Sequence, residues 1–216
     1  LAILGSELAT AKVVRLPPFL LLKGQPAVDS KLRAQKYDKR VRVCYTPKGV
    51  VNSNFMHHIF VPFLRKQVDI HAQKGRAMIV MDSCGSHLCN SVVNTMKSLD
   101  LIPVTIRGGF TSYLQAIDTH WTSAYRTVHQ QLYDNTTPVM IKRTAAQKRS
   151  LLAHLVAEAD IRTHKIVDVR QAFVDCGYIS PHLAKIRIHL SDSELPYKFV
   201  DPDLNADERA ADVKRQ

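Results

Sequence analysis

The sequence predicts an α/β fold that turns helical toward its C-terminus, and three observations carry that reading. Ala77-Met78-Ile79-Val80-Met81 is an unbroken apolar run that stops at Asp82, the habit of a strand covered by helices on both faces. Strand, helix and strand patterns then succeed one another between residues 77 and 106, as a parallel sheet requires. After Asp118 the β signals fade, and residues 119–134, 145–159 and 164–176 carry helical patterning.

Each element has its own local cause. Leu1–Leu4, Phe19–Leu22 and Val41–Thr46 are short strand-like runs separated by Gly5-Ser6, Pro17-Pro18 and Lys23-Gly24. From Arg40 to Tyr45 basic and apolar residues alternate, as on a half-exposed strand. Pro47 and Gly49 make a turn, and Asn52 or Ser53 can cap the helix that follows. That helix carries Phe55, Ile59, Phe60, Phe63, Leu64 and Val68 on one broad face. Pro62 is expected to kink or restart it. Arg65-Lys66 suits its C-terminal end, with Lys74-Gly75 as a later stop. The polar stretch Ser83–His87 leads into a helix near Asn90–Leu99. The strand Leu101–Ile106 is closed by Arg107-Gly108-Gly109, and Gly177 caps the last helix. The expected divisions are residues 1–135, 136–190 (helical) and an acidic, loosely ordered tail over 191–216.

Composition bounds the function. With 45% hydrophobic and 23% charged residues, 216 residues suffice for one core. No apolar run approaches the roughly 18 residues that span a bilayer, so no membrane partner is expected. The four cysteines, at 44, 84, 89 and 176, have no disulfide-framework spacing and point to a reducing compartment. The chain begins with Leu and has no signal-peptide pattern, and is expected to be a fragment or a late-starting gene product. Thirty Lys and Arg against nineteen Asp and Glu give a net charge of +11, which favours a polyanionic partner such as nucleic acid. The stretch Lys31–Lys48 is strongly basic. Within it Lys36, Lys39, Arg40, Arg42 and Lys48 are candidates for phosphate contacts, against the alternative of a solvated loop.

The chemistry centres on two acids. Asp82 ends a buried strand and so sits at a sheet's carboxyl edge, where α/β proteins place their sites. Asp118 follows the next strand and the Gly108-Gly109 loop, which could return it to the same edge. Two converging carboxylates repel unless a cation lies between them, and hard oxygen ligands select Mg²⁺ or Mn²⁺. On spacing alone, an N-cap role for Asp82 is equally open. Cys84, His87 and Cys89 form C-x-x-H-x-C, but a structural zinc site needs a second ligand pair that the sequence lacks. Trp121 and Tyr125, one turn apart, are read as a core seam rather than a base-stacking pair.

The words around these acids go further. Val80-Met81-Asp82-Ser83-Cys84-Gly85-Ser86-His87 and Gly108-Gly109-Phe110-Thr111-Ser112-Tyr113-Leu114-Gln115-Ala116-Ile117-Asp118 resemble the DDE superfamily endonuclease domain of pogo, Tigger and Jerky transposases. Asp82 and His87 match that family's D-N-x-x-x-H word, with Ser83 in place of Asn. Thr111, Leu114, Gln115 and Asp118 match its T-S-x-L-Q-P-L-D word, with Ala116 in place of Pro. Leu16–Gly24 is similar to its apolar strand before a Lys-Gly turn, and Phe173-Val174-Asp175-Cys176-Gly177 to its F-x-x-C-G word. The resemblance implies an RNase H-like mixed sheet with flanking helices and two divalent ions. It implies cleavage and strand transfer of DNA, with Asp82 and Asp118 as second and third acids and His87, Gln115 and Thr111 near the site. It also implies nuclear location and a homo-oligomer on paired DNA ends. The family's first acid lies on a core strand upstream of the segment matching Leu1–Leu4, so that strand is expected to be missing here. The resemblance leaves a second possibility open, a non-catalytic DNA-binding relic of such an element.

Overall fold

A computed structural model describes residues 2–4, 12–25, 35–71 and 75–178, all within one compact unit, Leu1–Ile179. The Lys31 end of the basic stretch, the end of the expected 136–190 segment and the 191–216 tail lie outside the described residues.

Six strands form three two-stranded ladders. β1 (Ala2–Leu4) runs antiparallel to β2 (Lys12–Val14). β3 (Phe19–Lys23) and β4 (Arg42–Thr46) are parallel, as are β5 (Ala77–Asp82) and β6 (Leu101–Ile106). The α/β class and the parallel 77–106 unit are thus present. The single mixed sheet expected from the resemblance is not, because no described strand joins one ladder to another. Pro103 in β6, which has no N–H to give, suits a strand that has a neighbour on one side only among the described residues.

Strand alternation sets the packing. Phe19, Leu21 and Cys44 face a core built on Phe55, Met56, Val61, Val68, Met81, Val92, Met96 and Leu101. Leu20 and Val43, on the other face, meet Val41, Val156 and Ala157. Phe19 anchors the first core, with edge-on contacts to Phe55, Phe60 and Phe63 at 5.6, 5.6 and 5.0 Å. Ala77, Ile79 and Met81 join the same core, whereas Met78 and its cross-strand partner Ile102 are half exposed. The expected burial of β5 on both faces therefore fails, because the helices pack on only one of them.

Asn52 caps the first helical segment, its side-chain oxygen accepting from the Phe55 N–H at 2.8 Å. The segment runs as α1 (Ser53–Phe55), a π turn (Met56–Phe60) and α2 (Val61–His71). Pro62 explains the wide turn. It cannot donate to the His58 carbonyl, and just before it the Val61 N–H reaches back to Met56 instead. The extra residue turns Ile59 to solvent and Met56 inward, a correction to the expected face. Arg65 is not at the helix end. It lies within α2 and donates to the carbonyls of Gly75 at 2.8 Å and Leu99 at 3.2 Å.

α3 (Gly85–Leu88) and α4 (Asn90–Ser98) link β5 to β6. After β6 come α5 (Thr111–Leu114), a second π turn (Ile117–Trp121), α6 (Thr122–Met140), α7 (Ala145–Ile166) and α8 (Val169–Asp175). The boundary expected between residues 159 and 164 is thus absent. One helix continues to Ile166, and Asp168 caps the next by accepting from the Gln171 N–H at 3.0 Å. α7 starts in a capping box between Thr144 and Gln147. Gly177, at φ 80°, ends α8 with Gly177 N–H on the Val174 carbonyl and Tyr178 N–H on that of Phe173. Trp121 is buried and meets the His164 ring at 4.3 Å, as the seam reading requires.

An ion network docks the 35–40 segment on α7. Arg40 donates to Asp38 at 2.7 Å and to Glu158 at 2.6 Å, and His154 Nδ1 lies 3.1 Å from Asp38. The Arg40 guanidinium holds the Asp38 carboxyl well below the usual carboxylate range and lowers Glu158 as well. Folded-state values below the unfolded ones mean stability that is present at neutral pH and fades as pH falls below about 4. Urea melts of wild type and Arg40→Gln should therefore differ most at pH 7, and the gap should narrow steadily as pH falls below about 4. A gap that widens on acidification would contradict this network.

Candidate functional site

β5 and β6 pair in register to their ends, Asp82 opposite Ile106, so both strands finish at one sheet edge. Beyond them, Arg107–Phe110 forms a tight turn with Phe110 N–H on the Arg107 carbonyl at 3.2 Å. Gly109 takes φ 88° there, a conformation that favours glycine. A Cβ placed on Gly108 would stand 3.9 Å from Ser83 Oγ, so this turn runs beside the loop that follows Asp82.

Asp82 is partly exposed. Its Oδ1 accepts from the Cys84 N–H at 3.2 Å, an Asx turn rather than the N-cap role open from the sequence, since Cys84 is the N-cap of α3 and that helix has no side-chain cap. His87, in α3, brings a buried Nδ1 to 2.7 Å from the same oxygen, without hydrogen-bond alignment. Nothing among the described residues hydrogen-bonds to Oδ2, which leaves one carboxylate oxygen for a ligand.

Asp118 occupies the second π turn. Its N–H donates to the Gln115 carbonyl at 2.8 Å, and its Oδ1 accepts from Thr122 Oγ1 at 3.2 Å while the side chain stays exposed. Thr111 opens α5, where its carbonyl accepts from the Gln115 N–H at 3.0 Å. The Gln115 side-chain oxygen is buried and has no hydrogen-bond partner.

Sequence reasoning missed what holds this turn. His120 Nε2 lies 2.9 Å from Asp175 Oδ2 and its Nδ1 2.8 Å from Thr119 Oγ1, while Ala116 packs on Ala172 of α8 and on Cys176 just beyond that helix. The Phe173–Gly177 word contained Asp175, but nothing in the sequence paired it with His120.

The predicted phosphate-contacting residues divide. Lys36, Lys39 and Lys48 are exposed. Arg40 is committed to Asp38 and Glu158, and the Arg42 guanidinium sits 4.4 Å over the Phe63 ring.

Asp82, Asp118 and the orphaned Gln115 oxygen offer hard oxygen donors, the type that suits Mg²⁺ or Mn²⁺. Among the described residues, however, no three His, Cys, Asp or Glu side chains come together as a metal site. No described helix is long and apolar enough to cross a membrane.

Parallel strands that deliver an acid to the carboxyl edge define an α/β domain with its candidate site where such folds place theirs. The family model for the DDE superfamily endonuclease matches residues 3–168, and the chain belongs to that family. It is therefore a nuclease- or transposase-type domain, from a superfamily that acts on DNA and generally depends on divalent metal. No curated protein and no solved structure matches the chain significantly.

Proposed function

We propose that this chain is the catalytic part of a pogo-, Tigger- or Jerky-like transposase, with an RNase H-like core that cleaves DNA in the nucleus. One observation carries the reading: an acid at the carboxyl end of β5, inside a family match that spans residues 3–168. Asp82 and Asp118 are the second and third acids and would hold Mg²⁺ or Mn²⁺, with Gln115 beside Asp118. When bound, such an ion supplies positive charge where negative charge builds on the phosphate undergoing cleavage. The protein's own part is orientation. Cys84 N–H fixes one oxygen of Asp82, with His87 close beside it, and Thr122 fixes one oxygen of Asp118. The first acid is assigned to no residue, since the Asp38 carboxylate is taken by Arg40 and His154. Assembly of copies on paired DNA ends belongs to the same proposal.

A second reading, DNA binding without cleavage, is favoured by the absence of a three-ligand cluster among the described residues. Supercoiled plasmid incubated with the protein separates the two. Open-circle product with Mg²⁺ or Mn²⁺ and none with chelator supports the first. Salt-sensitive binding without nicking supports the second. A protein that neither binds nor nicks overturns both.

A further inference from the structure

Two basic segments far apart in the sequence form one surface. Arg149 Nε donates to Gln35 Oε1 at 2.9 Å, Gln35 Nε2 donates to Ser150 Oγ at 3.2 Å and to the Ala146 carbonyl, and Ser150 Oγ donates to the Lys36 carbonyl at 3.1 Å. These bonds lay the 35–40 segment along the first turns of α7. Between them runs an open groove of about 410 Å³, lined by Gln35, Lys36, Arg143, Gln147 and Ser150 among others.

Among the described residues the charge on this surface is uncompensated. Lys36, Lys39, Lys142, Arg143 and Lys148 are all exposed, and none has an ion-pair or hydrogen-bond partner for its side chain among the described residues. The sequence has no acid between Asp134 and Glu158. Among the described residues, the acids on these two segments, Asp38 and Glu158, are already engaged by Arg40, and Asp38 by His154 as well. Lys36 and Arg143 line the groove, and Lys39, Lys142 and Lys148 lie close to them in the sequence, so unpaired like charges gather there and favour a polyanion that neutralises them. Long, exposed Lys and Arg side chains suit repeated phosphates and carry no means of reading bases.

We infer that this groove and its rim bind the phosphodiester backbone of double-stranded DNA without regard to sequence. The inference rests on the proposed action on DNA and adds a surface, half of it on α7, that shares no residue with Asp82 or Asp118. It contributes affinity, and its contacts release counterions, so binding through it weakens steeply with salt.

The test is fluorescence anisotropy of a labelled duplex of arbitrary sequence, titrated at several salt concentrations. It compares wild type, the triple variant Lys36→Gln/Arg143→Gln/Lys148→Gln, and the charge-matched control Lys66→Gln/Lys97→Gln/Lys165→Gln. Equal thermal midpoints confirm that all three are folded, and single Arg143→Glu repeats the test with the least disturbance. The triple variant should bind at least about tenfold more weakly at low salt, and its log-log salt slope should fall by roughly 0.9 for each phosphate that is no longer neutralised. The control should keep the wild-type slope. Wild-type binding with an unchanged slope in the triple variant overturns this surface and leaves the proposed action on DNA standing. No wild-type binding at all overturns that action itself. A triple variant that loses polyglutamate binding but keeps the duplex shows an acidic protein to be the partner, and overturns the inference.

Discussion

Leu101→Ala will lower the stability of this domain by about 2–5 kcal/mol, toward the upper end of that range. Leu101 is 1% exposed at the start of β6 and packs among Val61, Met81, Val92 and Met96. Those neighbours come from α2, β5 and α4, each fixed by its own backbone hydrogen bonds, so the site cannot close over the missing atoms. Both the transfer term and the cavity term are therefore felt in full. For a domain of this size the thermal midpoint should drop by roughly 5–15 °C. The neighbouring residue is the control: Ile102, 48% exposed, points away from that core. Ile102→Ala should cost less than about 0.5 kcal/mol. Equal losses at the two positions would mean that β6 presents the other face to the helices.

Asp82→Asn should abolish metal-dependent nicking while leaving fold and DNA binding intact. An amide oxygen can still accept from the Cys84 N–H, so the loop after β5 keeps its anchor. What disappears is the negative charge that would hold a divalent ion. A loss of at least about a thousandfold is expected, which corresponds to roughly 4 kcal/mol of barrier. Asp69→Asn, which removes an exposed acid paired with Arg65 on α2, should nick as wild type does. A thermal midpoint that falls with activity in Asp82→Asn would make Asp82 a structural residue of the loop after β5 first.

Much of this was legible in the sequence because period and punctuation coincided. The run from Ala77 to Met81, closed by Asp82, and the run Leu101–Ile106, closed by a double glycine, each gave a strand with its ends marked. Asn52 and Gly177 announced caps that the structure contains. The misses came where geometry depends on distant partners. A π turn before Pro62 shifted the buried face by one residue, which no helical period of 3.6 foresees. The continuity of α7 to Ile166 depends on Ala153, Ala157 and Ala159 packing in the interior. Arg40, basic in sequence and chosen as a phosphate contact, is engaged by acids, one of which lies on α7. In the candidate site the strand-end acid was legible, whereas the His120–Asp175 contact joins segments that share no pattern.

Whether Asp82 and Asp118 hold divalent metal together is tested most directly by Mn²⁺ titration followed by electron paramagnetic resonance. Wild type, Asp82→Asn, Asp118→Asn and the double variant should be compared with duplex DNA present. The account predicts that either single substitution weakens the same site by at least about tenfold, or 1.4 kcal/mol, and that the double variant loses little more than each single. Mn²⁺ binding that depends on Asp82 but is indifferent to Asp118→Asn would contradict it.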